Sequence, residues 1–122
     1  MGQPSHILSY VADARSSTAL YSKILGLPPE EATPIYAVFA LPSGGRLALR
    51  ARDAVEPRAT LPGGTELCFS VESAEAVRKT RNDWFKLGLR IIQEPVQMDF
   101  GFTFTAADPD GHRLRVFSPS QV

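Results

Sequence analysis

The stretch Phe104-Thr105-Ala106-Ala107-Asp108-Pro109-Asp110-Gly111-His112-Arg113-Leu114-Arg115-Val116-Phe117-Ser118 sets two extended runs about one turn. Proline presets φ near about −65°, glycine accepts a positive φ, and aspartate side chains bond back to nearby amides, so Asp108-Pro109-Asp110-Gly111 is turn chemistry. The flanking residues predict strands over Phe102–Ala107 and His112–Phe117. In the second of these, apolar Leu114 and Val116 alternate with Arg113, Arg115 and Phe117, the period of a strand with two unlike faces.

Working outward, the same pattern occurs earlier in the chain. Gly44-Gly45-Arg46-Leu47-Ala48-Leu49 lies over Gly111-His112-Arg113-Leu114-Arg115-Val116. His6–Val11 lies over Glu66–Val71, and Gly26-Leu27 over Gly88-Leu89. Between these anchors the first copy reads as a strand (Ser5–Val11), an N-cap at Asp13, and a helix over Ala14–Leu25. That helix has its stripe at Ala19, Leu20, Ile24 and Leu25, and it stops at Gly26. Pro28, Pro29 and Pro34 permit only a short edge strand or a loop. Strands over Ile35–Leu41 and Arg46–Arg50 then flank the turn Pro42-Ser43-Gly44-Gly45. After a polar connection, Arg52–Gly64, the second copy runs from a strand (Thr65–Val71) to a helix over Ser73–Leu87 with Val77, Thr80, Trp84 and Leu87 on one stripe. Gly88 ends it, and strands at Leu89–Gln93, Phe102–Ala107 and His112–Phe117 complete the order. Two copies of β-α-β-β-β predict an α+β fold in which the βαβββ modules form a cupped mixed sheet. We expect a single domain over 1–122, with module 1 at about 4–52 and module 2 at about 64–119.

The bulk numbers narrow the function class. Hydrophobic residues are 43% of the 122 and charged residues 21%, enough to build a packed interior. Thirteen cations balance thirteen anions, so no global field draws the chain to nucleic acid or an anionic membrane. Ten of those cations are arginine, whose planar fork suits carboxylates. One cysteine, Cys68, allows neither an intrachain disulfide nor a cysteine zinc site. No apolar run reaches membrane-span length, and the N-terminus lacks the layout of a signal peptide, so the expected location is cytoplasmic.

Strand alternation separates a core from a candidate binding surface. Ile7, Ser9 and Val11 share one face, and His6, Leu8 and Tyr10 the other. Leu67, Phe69 and Val71 oppose Glu66, Cys68 and Ser70 in the same way. The purely apolar sets belong under the helices. The opposite sets mix aromatic, charged and small residues, which suits a half-enclosed ligand surface, although an exposed sheet face is the plainer reading.

The paired modules, the opening SHILSYVADARSSTALYSKILGL and the closing FTAADPDGHRLRVFS together resemble the vicinal oxygen chelate superfamily, which includes glyoxalase I, extradiol dioxygenases, fosfomycin-modifying enzymes and bleomycin-binding proteins. Within it, NDWFKLGLRIIQEPVQMDFGFTFTAADPDGHRLRVFSP looks like the C-terminal half of phenazine-antibiotic-resistance proteins. That resemblance implies sequestration of a drug between aromatic side chains, and a homodimer in which both chains complete each cup. Metal-using members of the superfamily place one His or Glu donor on each of four strands. Laid on this sequence, the four positions are His6, Ala48, Glu66 and Arg115. Alanine cannot ligate and a guanidinium repels a cation, so we expect no metal, no cofactor and no catalytic residue. Glu66 and Arg115 are instead expected to form an ion pair or a hydrogen-bonding floor. His112 falls on the opposite face from Arg115, and Cys68 reads as a small buried filler.

The expected ligand is a planar aromatic small molecule, with an antibiotic of phenazine type as one example. Its candidate contacts are His6, Tyr10, Tyr36, Arg50 and Glu66 from the first strands of each module and their neighbours. Met98, Phe100, Phe102, Phe104 and Arg115 are the candidates from the closing half. Phe102 and Phe104 are two apart and therefore share a face, and Phe100 precedes them. Two other readings stay open: an enzyme of lyase or dioxygenase type, with or without metal, and a subunit whose sheet surface serves protein association.

Overall fold

The computed structural model describes residues 2–119. The chain divides into two compact units, residues 1–61 and 62–122, each built on one four-stranded sheet and one helix.

In the first unit, β1 (His6–Val11) leads through Asp13 into α1 (Ala14–Leu25), followed by β2 (Glu31–Thr33), β3 (Tyr36–Ala40) and β4 (Arg46–Ala51). The strand order is β1-β4-β3-β2, with β1 parallel to β4 and the other pairs antiparallel. Asp13 caps α1 by accepting from the Arg15 amide at 3.1 Å, and Gly26 ends it at φ +71°, a conformation that costs glycine nothing. The prolines of 28–34 leave β2 three residues long and at the sheet edge, as expected. The buried stripe of α1 differs from the expected one: Ala14, Ser17 and Tyr21 are buried and Ala19 is exposed. Hydropathy ranks Ser and Tyr below Leu and Ile, yet a small hydroxyl and an amphipathic ring fit a helix–sheet seam well.

The second unit repeats the order: β5 (Glu66–Ser70), α2 (Ala74–Lys86), β6 (Arg90–Met98), β7 (Gly101–Ala107) and β8 (Arg113–Pro119), arranged β5-β8-β7-β6. Ser73 caps α2, its hydroxyl accepting from the Ala76 amide at 3.1 Å. Val77 and Trp84 are buried beneath the sheet, and the Trp84 indole meets Phe69 and Phe104 edge-on, each at 5.5 Å between ring centroids. Such pairs add about 0.5–1.5 kcal/mol beyond area burial. β6 runs five residues past the expected end at Gln93, through Pro95. An edge strand permits this, because one row of its amides has no partner strand to lose; register shifts on either side of Gln93 absorb the irregularity.

Each sheet thus has a helix-side face and an opposite face that its own helix leaves open. In the second unit Leu67, Phe69, Leu114, Val116, Phe104 and Ala106 lie on the helix side by their register, and the last four are fully buried. Among the described residues, no helix is long and apolar enough to cross a membrane.

Candidate functional site

The open face of the second unit is set by register. Glu66 pairs with Arg113, Cys68 with Arg115, Thr103 with Phe117, and Thr105 with both Arg115 and Gln93. These side chains form one connected polar floor. Arg115 Nε donates to Glu66 Oε1 at 2.6 Å, while Nη1 donates to Gln93 Oε1 at 3.0 Å and to Thr103 Oγ1 at 3.2 Å. Thr105 Oγ1 also donates to Gln93 Oε1 (3.1 Å), and Thr103 Oγ1 to the Val116 carbonyl (2.8 Å). The Arg115 side chain is only 13% exposed, and both threonines are fully buried. A guanidinium this enclosed is tolerable because its charge is paired and three of its five N–H groups are bonded. Arg113 reaches the other oxygen of Glu66 from 3.6 Å.

Aromatic groups stand beside this floor. The Phe100 ring lies 5.6 Å from the Arg115 guanidinium and meets Phe117 edge-on at 6.1 Å. Met98 joins them, its sulfur accepting from Gln93 Nε2 at 3.4 Å. Both Phe100 and Met98 are more than a third exposed.

Of the expected contacts, Glu66, Arg115, Met98 and Phe100 come together here. Phe102 and Phe104 do share a face, but it is the helix side. Phe104 is fully buried against Trp84, and Phe102 lies under the Arg78 guanidinium of α2 at 4.7 Å. Phe100 leaves their face because it sits in the tight turn between β6 and β7, followed by Gly101 at φ +150°. Parity counts cannot be carried through a turn. A Cβ on Gly101 would stand 2.1 Å from the Ser118 carbonyl oxygen, so this close crossing of β7 and β8 requires glycine.

Sequence reasoning missed Gln93, Thr103 and Thr105. A signal was present: once Phe102 and Phe104 are assigned to the core, the threonines alternating with them must face the other way. Cys68 is exposed rather than a buried filler, its Sγ 3.8 Å from Glu66 Oε1. Partial desolvation, reinforced by the Glu66 charge, pushes its thiol pKa up, which keeps it protonated and a poor nucleophile.

The corresponding face of the first unit holds His6, Tyr10, Tyr36 and Arg50. Arg50 Nε donates to the Ala54 carbonyl at 2.9 Å, and its guanidinium lies 5.6 Å from the Tyr36 ring centre. Exposed His6 bonds through Nδ1 to the Ser5 hydroxyl at 2.8 Å. At its edge Arg46 grips Glu30 with two bonds, 2.9 and 3.3 Å, and this hydrogen bonding and charge lower the Glu30 pKa. His112 immediately precedes β8, its amide donating to the Asp108 carboxylate at 2.9 Å.

The four strand positions assigned to metal donors by resemblance can be tested on chemistry. Ala48 offers no donor and is 1% exposed, and the Glu66 carboxylate is engaged by two guanidiniums. Such a set does not fit a divalent ion, which needs several unencumbered anionic or imidazole ligands. Among the described residues no three His, Cys, Asp or Glu side chains gather into a ligand group.

Comparison with known proteins bears on both fold and family. The chain is 35% identical over 124 residues to the phenazine antibiotic resistance protein EhpR of Enterobacter agglomerans, covering 93% of this chain and 89% of that one. A protein of Agrobacterium tumefaciens solved by solution NMR superposes with a TM-score of 0.91 at 42% identity, over 99% of this chain and 100% of the other. A glyoxalase-related enzyme from Fulvimarina pelagi, at 20% identity and a TM-score of 0.87 over 97% of this chain and 88% of its own, shares the fold. The glyoxalase/bleomycin resistance protein/dioxygenase family model matches residues 3–116, and to that superfamily the chain belongs.

Proposed function

We propose that this protein binds and sequesters a planar aromatic small molecule, of which a phenazine-type antibiotic is one example, without metal and without transforming it. The observation that carries the reading is the open face of the second unit, where Phe100, Phe117 and Met98 stand beside a polar floor held in place by bonds among Glu66, Arg115 and Gln93. Flat ligands gain from offset or edge-on contact with such rings, and a few fixed polar groups give orientation. A carboxylate held by two guanidiniums is poorly placed to act as a general base or to ligate a metal. The similarity to a phenazine antibiotic resistance protein supports the choice of ligand. By the same resemblance we propose a single domain that acts as a cytoplasmic homodimer, for which light scattering on the purified protein is the test.

The binding test is a thermal-shift panel on metal-stripped protein, with divalent metals on one axis and planar aromatics, phenazines included, on the other. A ligand specific for the folded state stabilises by RT ln(1 + [L]/Kd), about 2.7 kcal/mol at a hundredfold excess over Kd. Saturable stabilisation by an aromatic, with the compound recovered unchanged by chromatography, is the expected result. Phe100→Ala should weaken that binding about tenfold, the worth of one aromatic contact. Stabilisation by metals alone, or turnover of the compound, would replace this reading with an enzymatic one.

A further inference from the structure

We infer that the open face of the second unit selects aromatic ligands carrying an in-plane carboxylate, with Arg115 Nη2 and Arg113 as its donors. The inference rests on the binding reading above and names the class of ligand for the same face.

Two independent observations converge. The first is donor arithmetic. A guanidinium has five N–H groups in one plane. The protein uses those on Nε, bonded to Glu66, and on Nη1, bonded to Gln93 and Thr103. Nη2 makes no hydrogen bond among the described residues. No unpartnered side-chain nitrogen or oxygen is buried among them either, so Nη2 reaches the surface of the molecule. Its two N–H groups are free to donate, and Gln93 and Thr103 fix the plane in which they do so. Gln93 and Thr103 are therefore positioning residues.

The second is charge arithmetic. One carboxylate, Glu66, serves two guanidiniums, at 2.6 Å from Arg115 and 3.6 Å from Arg113. The cluster carries one net positive charge. Among the described residues the acid that pairs with these arginines is Glu66, and Asp99, next to Phe100 in the chain, makes no ion pair with either. Arg113 is half exposed and available to a ligand. A single anionic group on the ligand would bring the cluster to neutrality, whereas a dianion such as a phosphate would place excess charge beside Glu66. Because the Phe100 ring stands 5.6 Å from the Arg115 guanidinium, the anion and an aromatic ring can be recognised together if the first is a substituent of the second.

The experiment compares phenazine-1-carboxylate with its neutral near-isostere phenazine-1-carboxamide, by calorimetric titration of the full chain at neutral pH. Deleting Arg115 would disturb the fold, so the charge is varied at its exposed neighbours. The acid should bind about tenfold tighter than the amide in the unmodified protein, in line with a partly exposed charge pair. Arg113→Gln should reduce that preference towards parity. Glu66→Gln, which keeps an acceptor for Arg115 while removing the competing anion, should enlarge it. A purely structural role for these residues would not produce opposite signs. Equal binding of acid and amide overturns the inference and leaves aromatic binding standing. A preference that falls in Glu66→Gln also overturns it, and binding of neither compound overturns both readings.

Discussion

The two units carry the same strand order, yet the centres of their open faces are chemically opposite. In the first, the row across β1, β4 and β3 is Leu8, Ala48 and Val38, with Ala48 and Val38 almost fully buried. In the second, the corresponding row is Cys68, Arg115 and Thr105. An aliphatic row needs no hydrogen-bond partners. A guanidinium in the same place is tolerable only where acceptors converge on it, and Glu66, Gln93 and Thr103 do so. A duplicated scaffold can thus hold an aliphatic centre in one copy and a charged one in the other, the difference residing in a single central position and the side chains that satisfy it.

The comparison can be broken first at Gly101, where the effect should be largest. Gly101→Ala forces a Cβ onto the Ser118 carbonyl and should cost more than about 3 kcal/mol in urea denaturation. The glycine corners of the first unit, with no backbone atom closer than 3.6 Å to such a Cβ, should yield smaller losses.

Exchanging the central residues sharpens it. Ala48→Arg places a long cation beside Leu8 and Val38 and should destabilise by about 2–3 kcal/mol. Arg115→Ala removes one partner each from Glu66, Gln93 and Thr103. Because Glu66 is partly exposed, water takes over some of the lost bonds, and about 2 kcal/mol is expected from thermal unfolding. If Arg115→Ala were instead neutral, the floor would be a surface decoration and the contrast between the faces would collapse.

The smallest effect concerns Cys68. Its thiol pKa is raised, first by desolvation and then by Glu66, so alkylation by iodoacetamide should require higher pH than for an unstructured cysteine peptide. Glu66→Gln removes the charge contribution and should move the rate–pH profile to lower pH while leaving the desolvation part in place. A profile indifferent to Glu66 would separate the two residues that the sheet sets together. Bound ligand should slow the same reaction, which makes Cys68 a reporter for the face.

Much of this was legible in the residues themselves. The repeat about Asp108-Pro109-Asp110-Gly111, both helix caps, the helix stops at Gly26 and Gly88 and the edge placement of β2 follow from local chemistry, because caps, turns and alternation depend on neighbours in the chain. The opposition of Arg113, Arg115 and Phe117 to Leu114 and Val116 was legible for the same reason. Tertiary structure alone decided three matters. It turned Phe100 to the open face while Phe102 and Phe104 went under α2, since a turn resets the alternation that fixes a side chain's direction. It chose Ser17 and Tyr21 over Ala19 for the helix seam, since fit against a sheet outweighs hydropathy rank. It also gathered Gln93, Thr103 and Glu66 around Arg115 from three different strands, since hydrogen-bond partners 12 to 49 residues apart are set by strand order and register, which no local pattern encodes.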